Sequence, residues 1–207
     1  APTSVRMYAD RPMFKLAKDG TVSVRAEGDS YEAPADLSKV AGCIELSPEL
    51  AAWRVKVDSD ILRGSGRRVP EPLLGWLGVA PGQQRDLYHA DGVIPVSWGA
   101  WGQPSIGSLK VFSDRFGSSA GDWLVLRLTR PDQLAVSSVR EEPTDGYSYA
   151  HLAALLGIPD ADNPLRSVAG VLGVDPDADN LTFRIRGVLV AWGEEELVAV
   201  MDKVMFG

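Results

Sequence analysis

The chain has 207 residues, 45% of them hydrophobic and 24% charged, with a net charge of −7 at neutral pH. That composition excludes a disordered or collagen-like chain, and no apolar run approaches the roughly 20 residues that a membrane-spanning helix needs. A lone cysteine, Cys43, excludes an internal disulfide and a cysteine-based zinc site.

Ala1, Pro2, Thr3 and Ser4 open the chain without an initiator methionine and without a basic region leading into an apolar stretch. The expectation is a piece of a longer protein with no secretory signal in view. A free thiol fits a reducing compartment, so the expected location is the cytoplasm. Cys43 sits in an apolar run, 40–44, and reads as a packed thiol, because apolar surroundings disfavour the thiolate.

Asp19 and Gly20 mark a turn, and alternation over 21–25 predicts a strand. A short helical turn is expected at 35–41, and residues 1–52 read as a lead-in or small subdomain. Alternation over 53–57 predicts a half-buried strand. The glycine-rich basic stretch 62–68 reads as a flexible loop. A short helix closed by Gly78 is expected at 72–78, and Pro81 with Gly82 marks a turn. Strands follow at 85–89 and 93–98, around a hairpin turn at Asp91 and Gly92. Leu109, Phe112 and Phe116 have helical spacing, with Gly117 as the stop. Gly121 and Asp122 form a further turn before strands at 123–128 and 134–139.

After a linker at 141–146 the pattern turns helical. Segments 151–156, 165–172 and 181–192 each end at a glycine: Gly157, Gly173 and Gly193. A last helix follows, with Glu194, Glu195 and Glu196 in its first turn, where the helix dipole favours acids. Segments 156–163 and 172–180 echo each other, but two copies fall short of a solenoid. The fold class is α+β: a mainly-β domain at 53–140 with two short helices, then a small acidic helical domain at 147–207.

Charge is unevenly spread. Residues 53–140 carry 11 basic and 8 acidic side chains, whereas 141–207 carry 4 and 12. A mildly basic middle is flanked by acid, and the local field matters more than the total. Within that middle, Arg63, Arg67 and Arg68 offer guanidinium forks for phosphate oxygens or a guanine edge, with Ser65 as a further hydrogen-bond donor. Gly64 and Gly66 leave room for a phosphodiester to approach. The alternative is a solvated basic turn, since the stretch lacks the Lys-Ser/Thr ending of a phosphate loop. Trp98, Trp101, Gln103 and Ser105 form a second unusual stretch. Trp98 reads as core. Trp101 is either a loop anchor or an aromatic that stacks on bases, and the Gln103 amide suits adenine.

Other candidates have simpler readings. Asp175, Asp177 and Asp179 imitate the start of a calcium loop. Asn180 replaces the glycine of its turn, and Arg186 replaces the closing glutamate, so capping acids between helices are expected instead. His89 and His151 lie in different predicted segments, and no Gly-x-Ser-x-Gly elbow accompanies them. Glu194 to Glu196 read as dipole charge. No catalytic residue, metal or cofactor is expected.

The order of features in 53–140 resembles the B-three type pseudobarrel DNA-binding domain. That family includes plant auxin- and abscisic-acid-response transcription factors and effector domains of some bacterial restriction endonucleases. The resemblance rests on Val55 to Val57 followed by Ser59 and Asp60, the basic run Arg63 to Arg68, and Val69-Pro70. It continues with the helix around Leu73, then Leu87, Gly92 and Trp98, the helix bearing Phe112, and Gly121-Asp122 opening an apolar strand. It implies a small pseudobarrel whose two arms grip the major groove. One arm falls on Arg63, Ser65, Arg67 and Arg68, and the other on 98–105 with Trp101, Gln103 and Ser105.

The expected function is a non-enzymatic module that binds double-stranded DNA within a larger restriction, repair or regulatory protein. The alternative is a protein-interaction adaptor that uses the acidic C-terminal helices to dock a protein partner. Catalysis in a barrel cleft ranks last, because spacing alone brings no two carboxylates together.

Overall fold

A computed structural model describes residues 14–17, 19–24, 35–38, 40–99, 103–159 and 161–207. A small hairpin, β1 (Phe14–Leu16) with β2 (Val22–Val24), stands apart from an eight-stranded mixed sheet. The sheet strands are β3 (Cys43–Ser47), β4 (Leu50–Lys56), β5 (Gly66–Arg68), β6 (Gln84–His89), β7 (Gly92–Trp98), β8 (Pro104–Ser108), β9 (Trp123–Thr129) and β10 (Gln133–Val139). Their spatial order is β3-β4-β9-β10-β6-β7-β8-β5, and the sheet curls into a half-barrel. Neighbours are antiparallel except β10 and β6, which touch in parallel through Gln133 and Tyr88.

Three short helices lie between the strands: α1 (Ser59–Arg63), α2 (Glu71–Trp76) and α3 (Lys110–Phe116). Four more complete the chain: α4 (Tyr149–Leu155), α5 (Pro164–Val171), α6 (Leu181–Ala191) and α7 (Glu195–Phe206). The architecture is α+β, as a strand-rich stretch followed by a helical one predicts.

Both faces of the central strands are covered, and this decides the fold. Along β4, Ala51, Trp53 and Val55 point into the half-barrel, with Leu124, Leu126 and Leu128 of β9 in the same core. Ala52, with Trp123 and Val125 of β9, joins a second core on the opposite face, against Leu152, Val168, Ile185, Leu189 and Met201 of the C-terminal helices. Side chains alternate along a strand, but with both faces buried the outward positions are apolar too. Residues 43–52 and 147–207 thus share their packing with the sheet.

The interior helices begin and end where local chemistry dictates. Asp58 accepts the backbone N–H groups of Asp60 and Ile61 at 3.0 Å each, capping α1. Gly64 ends it at φ 89°, a conformation that glycine adopts without steric cost. Ile61, Leu73, Leu74, Trp76 and Phe112 carry α1, α2 and α3 into the first core.

Several local expectations need correction. Residues 35–38 and 40–42 form turns, with Val40 N–H on Leu37 O at 3.1 Å and Cys43 N–H on Val40 O at 2.9 Å, and no helix among the described residues. The basic stretch is ordered secondary structure: Arg63 closes α1, and Arg67 and Arg68 lie in β5. Residues 104–108, which carry the end of the second unusual stretch and were given no strand, form β8.

Candidate functional site

The half-barrel brings the two singled-out stretches side by side. β5 pairs with β8 antiparallel, setting Arg67 opposite Ile106 and Arg68 opposite Ser105. The glycines that frame Arg63 and Ser65 serve this pairing. A Cβ on Gly66 would stand 3.0 Å from Ile106 O, so glycine permits the close approach of the strands. A Cβ on Gly64 would lie 3.4 Å from Ser108 Oγ, so the end of α1 abuts β8 as well. Both glycines therefore have structural work in this pairing.

The arginines differ in freedom. Arg63 is exposed and pairs with Asp60, three residues earlier on α1. Arg67 is about half-buried and donates to Asp58 Oδ2, so one carboxylate caps α1 and ties it to β5. The Ile61 N–H, with Arg67 adding to it, holds the Asp58 carboxyl below the usual carboxylate range despite partial burial. Arg68 is exposed and forms no ion pair with a described residue.

Gln103 is exposed just before β8. Ser105 Oγ lies 3.3 Å from Ser97 Oγ on β7. Ser65 is exposed between α1 and β5, and its backbone N–H donates to Asp60 O at 2.9 Å. Trp98 is fully buried in the first core. Trp101 lies outside the described residues.

The remaining candidates are tied into the framework. Cys43 is buried, and burial with the nearby Glu194 pushes its thiol up to about 12. His89 stacks edge-on against Phe112 at 4.8 Å, and its Nδ1 accepts the Asp91 N–H. His151 is buried beside Tyr147, and burial, then Lys203, lowers its pKa. Asp177 pairs with Arg166, and Asp175 accepts the Asp177 N–H. Among the described residues no three carboxylate, histidine or cysteine groups gather as a metal site would require.

One cluster has no counterpart in the sequence reading. Arg54 and Lys56 share a face of β4 and were expected on its solvent side, yet the Arg54 side chain is only 5% exposed. Glu194, read as dipole charge, reaches it as an ion-pair partner and also accepts the Gly42 N–H at 2.8 Å. The signal lay in the i, i+2 spacing of two cations on an apolar strand. Their partners come from distant segments: Glu194, Trp123 and Glu141.

No protein-family model, curated protein or solved structure matches this chain.

Proposed function

We propose that the chain is a DNA-binding, target-recognising module of the B-three pseudobarrel type, acting without catalysis within a larger restriction, repair or regulatory protein. The observation that carries the reading is the β5–β8 pairing. It sets exposed Arg68 opposite Ser105 and next to the strand entry at Gln103, so a cation and two polar side chains share one edge of the half-barrel. A guanidinium beside an amide and a hydroxyl can contact phosphate oxygens and base edges together.

Roles divide by freedom. Arg68 is the primary contact. Arg63 is a second one, because its exposed pair with Asp60 is worth about 0–1 kcal/mol and yields to a phosphate. Arg67 is a positioning residue, held by the Asp58 carboxylate that also caps α1. Binding of a labelled duplex by the full chain tests this at about 50 mM salt, where phosphate contacts are strong. The reading requires saturable binding that Arg68→Glu with Gln103→Ala abolishes; a chain that ignores duplex DNA refutes it.

A second reading, the protein adaptor, draws on α6. Phe183 and Val190 are 58% and 53% exposed there, with exposed Gly187 between them on the same helical face. Phe183→Lys with Val190→Lys in the full chain separates the two. Loss of a protein partner with DNA binding intact assigns α6 to docking.

A further inference from the structure

Among the described residues the half-barrel does not close, and β5 has a strand neighbour, β8, on one side only. β3 begins at Cys43, already opposite Trp53, so β4 runs on to Lys56 with β9 beside it and no described strand on the other side. Between these two edges lies a cleft of about 610 Å³. Its charged lining is Arg54, Lys56, Arg67 and Arg68, against one carboxylate, Glu196. A smaller cleft of about 320 Å³ adjoins it and shares Arg54, Trp123 and Glu196.

Arg54 is the unusual member. It is a nearly buried guanidinium whose Nη2 donates to Glu194, while no described residue accepts from its Nε. A guanidinium withdrawn from water with its Nε–H unused is unfavourable unless an acceptor meets it. Trp123 fixes the cations in place: Arg54 Cζ stands 5.4 Å and Lys56 Nζ 5.2 Å from its ring centroid. Lys56 also donates to Glu141 at 2.7 Å, an exposed pair that an anion can displace. Arg68 supplies a cation that no described residue pairs with, and Val69 and Pro70 supply an apolar wall.

The cleft falls within the range of small-molecule sites, about 300–1,000 Å³, and is far too large for a bare ion. The geometry points to a nucleotide subsite: Arg54, Lys56 and Arg68 hold the phosphate of one nucleotide, with Val69 and Pro70 against its sugar and base. It deepens the DNA-binding reading and rests on it for the source of that nucleotide, a strand continuing from the β5–β8 edge. A free nucleotide has the same chemistry and is the other source.

The test follows the arginine Nε–H signals of the ¹⁵N-labelled full chain. The Arg54 signal is identified by its absence in Arg54→Lys or, should that variant not fold, by its proximity to Trp123 protons. The probes are thymidine, thymidine 5′-monophosphate, a 5′-phosphorylated thymidine octamer and a duplex. The monophosphate and the octamer are expected to move the Arg54 signal and thymidine to leave it unmoved. Lys56→Gln with Arg68→Gln is expected to weaken the octamer by about tenfold or more. An Arg54 signal unmoved by both phosphorylated probes overturns the subsite. If duplex binding still depends on Arg68 in that case, the DNA reading survives alone. Movement with the monophosphate, but none with the octamer, keeps the subsite for free nucleotides, and a chain that then binds no duplex overturns the DNA reading as well.

Discussion

Arg54 on β4 and Glu194 at the head of α7 form a buried ion pair between residues 140 apart in the chain. The pair crosses from the half-barrel to the C-terminal helices, beside the second core that the two share. Glu194 also takes the Gly42 N–H, so one carboxylate joins three segments.

Removing one partner from such a pair leaves a buried charge uncompensated, at a cost of about 3–5 kcal/mol. Glu194→Gln is therefore expected to lower stability by that order in urea unfolding. Arg54→Met with Glu194→Leu removes both charges and should recover much of the loss. Sheet and helices should unfold in one transition, followed by tryptophan fluorescence and far-UV circular dichroism together.

Gly157 provides a second, independent tie. It ends the α4 segment at φ 82°, and a Cβ placed there would stand 2.6 Å from the Ala52 Cβ on β4. Gly157→Ala combines a left-handed backbone strain with a clash between helix and sheet. Destabilisation of more than about 1 kcal/mol is expected, whereas Gly170→Ala, which meets nothing within 4 Å inside α5, should be neutral or stabilising.

The buried His151 makes stability depend on pH. Its folded pKa lies below the ordinary value of 6.5, through burial first and Lys203 second. The unfolded chain therefore takes up this proton first as pH falls. The contribution is full above about pH 6.5 and is lost as pH drops through the lower folded value. Urea midpoints should fall between pH 7 and pH 5.5, and His151→Gln should reduce that fall.

Cys43 reports on opening of the sheet. Its thiol is buried and pushed up to about 12, so the native chain should resist a thiol reagent at pH 8. Labelling should appear with unfolding, and faster in Glu194→Gln, whose lost carboxylate held the adjacent Gly42 N–H.

The elements legible in the sequence are those whose signals are local. Gly92 marked the β6–β7 hairpin, and Gly117, Gly157, Gly173 and Gly193 all take positive φ at helix ends, where they were expected to stop the chain. β4 was read as starting at Trp53 because alternation vanishes where both faces are buried, as at Ala51 and Ala52. β5 has only three residues and opens on a glycine, and β8 opens on Pro104, so both looked like loop. Of the candidate site, residue types were legible and their neighbours were not. The β5–β8 register and the Arg54–Glu194 pair join distant segments, and spacing along a chain does not encode them.

DNA binding is assigned to the edge that Arg68 and Ser105 share. The most direct measurement is the salt dependence of duplex affinity for the native chain and for Arg68→Ala, by fluorescence anisotropy from about 50 to 200 mM salt. A steep linear fall of log affinity with log salt is expected, with a loss of about 1–3 kcal/mol in the variant and a slope shallower by about 0.9. Equal affinities and equal slopes for the two proteins, or no binding by either, would contradict that assignment.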